Sequence, residues 1–193
     1  MLAAALFGSA QATTVKPVEL GQLTEISEAV VLGRVQKKEV RAEQGQVWTD
    51  LTIEVEEAWK GKTPQVIHFS QLGGETPELQ QKILGYPSFV EGERLVLFLE
   101  RTSSGRLVVT GLSMGKYRVF EDAQGKLWAA RDTHELGFYK RQDFPVTYLT
   151  GIPQNSEKMP VEALKKIVQN RFEPVPFEKI PARLVRLPAK ENK

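Results

Sequence analysis

Within residues 47–59 apolar and polar side chains alternate strictly from 51 to 56: Leu51, Ile53 and Val55 fall on one side of an extended chain, Thr52, Glu54 and Glu56 on the other. A period of two belongs to a strand with one dry and one wet face. It excludes a helix, whose apolar positions recur every three or four residues. The same rule predicts a strand over 65–71, with Ile67 and Phe69 on one face and Val66, His68 and Ser70 on the other. Lys60-Gly61-Lys62 and Pro64 supply the turn between them. A lone hairpin cannot cover its own apolar row, so the rest of the chain must supply more sheet or a lid.

It supplies sheet. "AVVLGRVQKKEV" (29–40) is β-branched, becomes polar from Gln36 and turns at Gln44-Gly45-Gln46. "RLVLFLE" (94–100) is apolar on both faces and so belongs in a wall covered from both sides. "RLVVTGL" (106–112) follows the turn Ser103-Ser104-Gly105, and "GKYRVFED" and "KLWAARD" flank Ala123-Gln124-Gly125. Short strands at close spacing predict an antiparallel barrel or sandwich rather than a βαβ sheet, and closure removes edges that invite aggregation. Leu20, Leu23 and Ile26 predict a short N-terminal helix, weakened by Gly21. Pro160 near a first helical position, with Val161, Leu164 and Val168 on one side and Ile167 beside them, predicts a C-terminal amphipathic helix that caps the barrel.

The ends point to an address and a tail. "MLAAALFGSAQATT" has a short apolar run followed by Ala10-Gln11-Ala12, the small-x-small form that precedes signal cleavage, although no basic residues lead it. The expectation is a signal-peptide remnant over 1–12 and an exported bacterial protein, periplasmic or extracellular, that begins near Thr13. Residues 13–131 then form the β-barrel domain, 132–172 an extension carrying the second helix, and 173–193 a basic tail with Pro174, Pro176, Pro181 and Pro188. Within that tail "LVRL" (184–187) alternates and could dock. No stretch reaches membrane-spanning length. Lysine and arginine exceed aspartate and glutamate by only two in 193 residues, so bulk charge does not call for nucleic acid. The absence of cysteine removes disulfides, thiolate zinc sites and cysteine nucleophiles together.

The succession "AVVLGRV", "TIEVEEAWKGK", "EGERLVLFL" and "GKYRV" resembles a family of exported bacterial proteins, and its plan is similar to the OB-fold barrel of the netrin and tissue-metalloproteinase-inhibitor type over residues 28–120. The resemblance implies a mainly β fold, an antiparallel closed or partly open OB-like barrel, and a protein-binding role. It does not carry the inhibitors' zinc-chelating device over to this chain. That device is an N-terminal cysteine, and the chain has none.

Catalytic chemistry finds little to work with. His68 and Ser70 share a strand face, yet no acid completes a triad. "DTHEL" (132–136) lacks the second histidine of a zinc helix, since Phe138 stands there, leaving His134 with Asp132 and Glu135 alone. Glu91 and Glu93 bracket Gly92 as ordinary surface carboxylates. No catalytic residue, metal ligand or cofactor is assigned. Trp48, Trp59 and Trp128 are dispersed, unlike the aromatic platform of a single-strand binder.

The stretch 72–93, "LGGETPELQQKILGYPSFVEGE", is long for a connection in a compact domain. Two readings stand. Residues 77–84 form a helical turn that plugs the barrel, or Gly73, Gly74, Glu75, Tyr86, Pro87 and Phe89 form a contact surface, with aromatic area on a stiff backbone. The expected function is a non-catalytic exported binding module, inhibitor-like or protein-interacting, with an unidentified protein partner and no nucleic acid. The alternatives are a hydrolase of unrecognised type and a structural envelope component.

Overall fold

The structure is a computed structural model that describes residues 14–15, 18–131, 137–140, 147–149 and 158–170. The expected leader over 1–12 and start at Thr13, the group Asp132, His134 and Glu135, and the tail 173–193 with its "LVRL" lie outside the described residues.

A two-residue strand β1 (Thr14–Val15) precedes helix α1 (Leu20–Ile26). The long hairpin follows, β2 (Ala29–Glu43) and β3 (Gln46–Lys60), and then β4 (Val66–Leu72). A ribbon of β5 (Gly74–Glu75) and β6 (Gln80–Gln81) interrupts the connector before β7 (Arg94–Arg101) and β8 (Leu107–Val109). A 3₁₀ turn (Leu112–Gly115) leads into β9 (Lys116–Glu121) and β10 (Leu127–Arg131). β11 (Gly137–Lys140), β12 (Thr147–Leu149), β13 (Lys158–Pro160) and helix α2 (Val161–Asn170) complete the described chain. The main sheet runs β13-β10-β9-β7-β2-β3-β4, with β8 also on β7, and every pairing in it is antiparallel. A smaller sheet has the order β1-β11-β12.

Both faces of the central strands are dry. On one side Val31, Val35, Leu51, Ile53, Ile67, Phe69, Leu95, Leu97 and Leu99 form a core, with Leu107 and Val109 of β8 packed against it. On the other, Val30, Leu32, Val96 and Phe98 meet Tyr117 and Ala129, and are covered by Leu20 and Leu23 of α1, by Val161, Leu164 and Val168 of α2, and by Trp59. This two-sided burial is what the unbroken apolar run of β7 demanded; each such side chain contributes about 1.5–3 kcal/mol when removed from water. Helix α2 therefore lies over this second face of the sheet. Lys165 fixes it there, its Nζ 2.7 Å from Glu57 on β3.

The first helix differs from its sequence reading in one residue. Leu20 and Leu23 are buried, but Ile26 is 50% exposed, and the packed face runs through Gly21 and Thr24 instead. Small residues on that face let the helix sit close to the sheet. Lys60 donates to the carbonyls of Thr24 and Glu25 at 2.8 and 3.2 Å, placing a cation at the negative end of α1.

Register shifts between Val30 and Val31, Leu32 and Gly33, and Val35 and Lys37 bend the β2–β3 hairpin. Gly33 sits in that bend because a Cβ there would lie 2.4 Å from the Glu54 carbonyl. The bend brings β4 round towards β8, to Cα separations of 8 Å or less, without a described ladder joining them. The observed architecture is thus a curved, mainly antiparallel sheet with a short helix near each end of the described chain. Because β2 pairs with β7 only from Ala29 to Arg34, no strand among the described residues pairs with that side of its distal half, Gln36–Glu43, which is rich in charge.

Candidate functional site

The connector 73–93 contains no helix; the ribbon β5–β6 replaces the expected turn at 77–84. Its cause lies in Gly73 and Gly74, at φ +98° and +141°, which swing the chain back across β3. Backbone and side-chain bonds then pin it. Gly73 N–H donates to Val47 O at 2.8 Å, Thr49 Oγ1 donates to Gly73 O at 2.6 Å, and Val47 N–H donates to Gln81 Oε1 at 2.7 Å. Further along, Gln71 Nε2 reaches Pro87 O at 2.9 Å and Ser113 N–H reaches Gly85 O at 2.9 Å.

Gly73, Gly74, Glu75, Tyr86, Pro87 and Phe89 all line one groove of about 290 Å³ between the ribbon and the sheet. Their exposures differ. Glu75 is exposed and Tyr86 half-buried, whereas Pro87 is buried and Phe89, 2% exposed, stands edge-on to Phe69 inside the core. Phe89 thus fills the interior that a helical plug was expected to fill, and the aromatic area open to a visitor is that of Tyr86. Leu79, Leu84 and Val90 add exposed apolar surface along the connector, Val90 at 66%.

Tyr86 and Pro87 are shared by two further concavities. One is a notch of about 60 Å³ beside Trp48, Phe69 and Arg106, at the approach of β4 to β8. Trp48 there lies under both Arg41 and Arg106, at 5.9 and 6.0 Å. The other is a cleft of about 650 Å³ whose lining adds Arg34, Arg94, Lys116 and Arg118, with Glu91, Glu93 and Glu121. At its base Lys116 Nζ lies 2.8 and 2.9 Å from the two oxygens of Glu93, 4.8 Å above the Phe89 ring, and bonds Ser88 O; both side chains of the ion pair are nearly buried. Arg94 and Arg34 both pair with Glu56. Glu91 accepts the Lys38 N–H at 2.8 Å, so Glu91 and Glu93 face different partners rather than each other.

His68 and Ser70 are not joined. His68 Nδ1 lies 3.1 Å from Thr52 Oγ1, and Ser70 donates to Asp50, which also accepts from Arg41 Nε at 2.7 Å. Burial pushes the Asp50 carboxyl up, but the bonds from Ser70 and Arg41 outweigh it and hold the group below the usual carboxylate range. Among the described residues no group of three or more histidine, aspartate or glutamate side chains is placed to hold a metal ion, and no helix is long and apolar enough to cross a membrane. Sequence reasoning missed Ser113, Arg118 and the buried Lys116, whose meeting with the connector depends on how β9 folds back beside β7.

Comparison with known proteins returns no match to a family model, to a curated protein or to a solved structure.

Proposed function

We propose that the chain is a non-catalytic exported binding module, built on a partly open OB-like barrel of the netrin and tissue-metalloproteinase-inhibitor type, and that its 73–93 connector is the contact surface for a protein partner. The observation that carries the proposal is convergence: three neighbouring concavities share Tyr86 and Pro87 on a connector pinned to the sheet at both ends. A pinned loop loses little conformational entropy when a partner docks, and a half-buried tyrosine between grooves is the kind of anchor that dominates interface energetics. Support for the barrel is the path β4-β3-β2-β7-β8, with β8 returning beside β4 and its Leu107 and Val109 against the same core as Phe69.

Site-specific photo-crosslinking in the producing cells tests the proposal. A photoreactive residue at 86 or 75 should capture a discrete partner that one at Glu54, on the wet face of β3, does not. Equal capture from all three positions, or none from 86 and 75, would refute it. Hydrolase chemistry at His68 draws no support from its neighbours, which are Thr52 and a serine engaged elsewhere.

A further inference from the structure

The stretch 86–91 is a wall common to the three concavities: Tyr86 and Pro87 border all of them, and Ser88 borders both the cleft of about 650 Å³ and the groove of about 290 Å³. It carries no regular secondary structure and is bracketed by Gly85 and Gly92, at φ +84° and +79°. Among the described residues, backbone-to-backbone bonds that leave the connector are confined to the two ends of this stretch. Ser113 N–H donates to Gly85 O at 2.9 Å, Gly92 N–H to Val35 O at 2.8 Å, and Val35 N–H to Glu93 O at 2.9 Å. Between those ends the hold depends on side chains. Gln71 Nε2 donates to Pro87 O at 2.9 Å, Glu91 accepts the Lys38 N–H at 2.8 Å, and Phe89 stands against Phe69. Lys116 does the most: its single ammonium bonds Ser88 O, lies 4.8 Å above the Phe89 ring and reaches both oxygens of Glu93.

We infer that 86–91 is a hinged strap, latched by Lys116, that lifts as a unit while the sheet stays folded. The basis is a contrast in how neighbouring segments are held. A strand inside a ladder opens only by breaking bonds along its whole length, so its opening approaches global unfolding; a segment held mainly through side chains opens for less. Because one ammonium makes the contacts to Ser88, Phe89 and Glu93, losing it frees all three together. The flanking glycines can change φ without the penalty of a Cβ, and Pro87 stiffens the piece between them, so movement concentrates at the ends. The Phe89 ring, 2% exposed against Phe69, keeps the lifted state in the minority. Lifting removes the wall between the three concavities and turns Phe89 outward, which is the position its sequence reading assigns it. The latch is a property of this chain alone and does not depend on the contact surface proposed above.

The chain has no cysteine, so one introduced thiol reports opening at one place. Pro87→Cys puts it at a buried position of the strap, and Ala129→Cys puts it in the core of β10. Labelling of the full chain with a chromogenic disulfide reagent in sub-denaturing urea should be at least about 100-fold faster at 87 than at 129. The rate at 87 should hardly change with urea, whereas the rate at 129, which requires global unfolding, should climb with it. Adding Lys116→Met to Pro87→Cys should speed labelling about 100-fold or more, the factor that corresponds to breaking a buried ion pair. Hydrogen exchange gives the same reading on the unsubstituted chain. The Lys38 and Val90 amides, whose acceptors are the Glu91 and Glu93 carboxylates, should exchange with little dependence on urea, unlike the Ile53 amide inside the β3 ladder. The same urea dependence in strap and ladder, or a rate at 87 that Lys116→Met leaves unchanged, would overturn the inference. Crosslinking through position 86 tests the contact surface separately, so either reading can fall while the other stands.

Discussion

Replacing Lys116 by methionine keeps most of the side chain's volume and removes its charge, which isolates what the ion pair under the cleft contributes. Lys116 and Glu93 are 12% and 10% exposed at the side chain, far below the other ion pairs of the sheet. Removing one partner leaves the Glu93 carboxylate buried without its two bonds at 2.8 and 2.9 Å, and also strips the Phe89 face and the Ser88 carbonyl of their cation. Breaking a buried pair in this way costs about 3–5 kcal/mol. Against a typical total stability of about 5–15 kcal/mol, that is a large fraction. At this chain length each kcal/mol lowers the melting temperature by about 2–4 °C, so a fall of roughly 6–20 °C is expected. Urea unfolding followed by tryptophan fluorescence gives the free energy, and circular dichroism the melt. The double variant Lys116→Met/Glu93→Leu should recover to within about 1–2 kcal/mol of the wild type, since an apolar pair of similar volume replaces a desolvated ionic one. A Lys116→Met cost below about 1 kcal/mol, with no recovery in the double variant, would show that the pair behaves as a surface contact.

Gly74→Ala should cost about 1–3 kcal/mol in the same assay, because the residue sits at φ +141° and its Cβ would lie 2.8 Å from both Thr49 Oγ1 and Val40 Cγ1. Leu164→Ala should cost about 2–5 kcal/mol, and Leu97→Ala a similar amount, although the two side chains fill opposite faces of the sheet. The Glu57 carboxyl is held below its usual range, first by Lys165 and then by Trp59. A lowered folded-state pKa gives stability that is present above the ordinary glutamate range and is lost as pH falls through the lowered value. The deficit of Glu57→Gln, measured by urea midpoint, should therefore be larger at pH 7 than at pH 2.5; a deficit unchanged between those pH values would contradict the assignment.

The sheet was legible because its signals are local. Alternation in β3 and β4, the turn at Gln44-Gly45 and the doubly apolar β7 each report burial through neighbours two residues away. The connector was harder. Leu79 and Ile83 stand at helical spacing, but two glycines with positive φ and the bonds to Val47 and Thr49 decide its path, and those partners lie far off in sequence. Ile26 misled for a related reason: spacing puts it on the face of Leu23, yet the helix packs through Gly21 and Thr24. "RLVVTGL" yields only the short β8, since Gly111 and Leu112 turn the chain out of extension. Of the six residues expected at the contact surface all border one groove, but that Phe89 would turn inward onto Phe69 depends on the curvature of strands it does not belong to. Ser113 and Lys116 carried no signal of their own, because their bonds to Gly85, Ser88 and Glu93 form only when the chain leading into β9 folds back against the connector.

The far half of β2 deserves a cellular reading. Past Arg34 its rim carries Lys37, Lys38, Glu39, Arg41 and Glu43, with the Lys37–Glu39 pair at 2.7 Å. An incoming strand would have to strip water from that row before gaining a single ladder bond. In a crowded compartment that row of charge works as a fence between copies of the molecule, and it discourages the strand-on-strand contacts that seed fibrils.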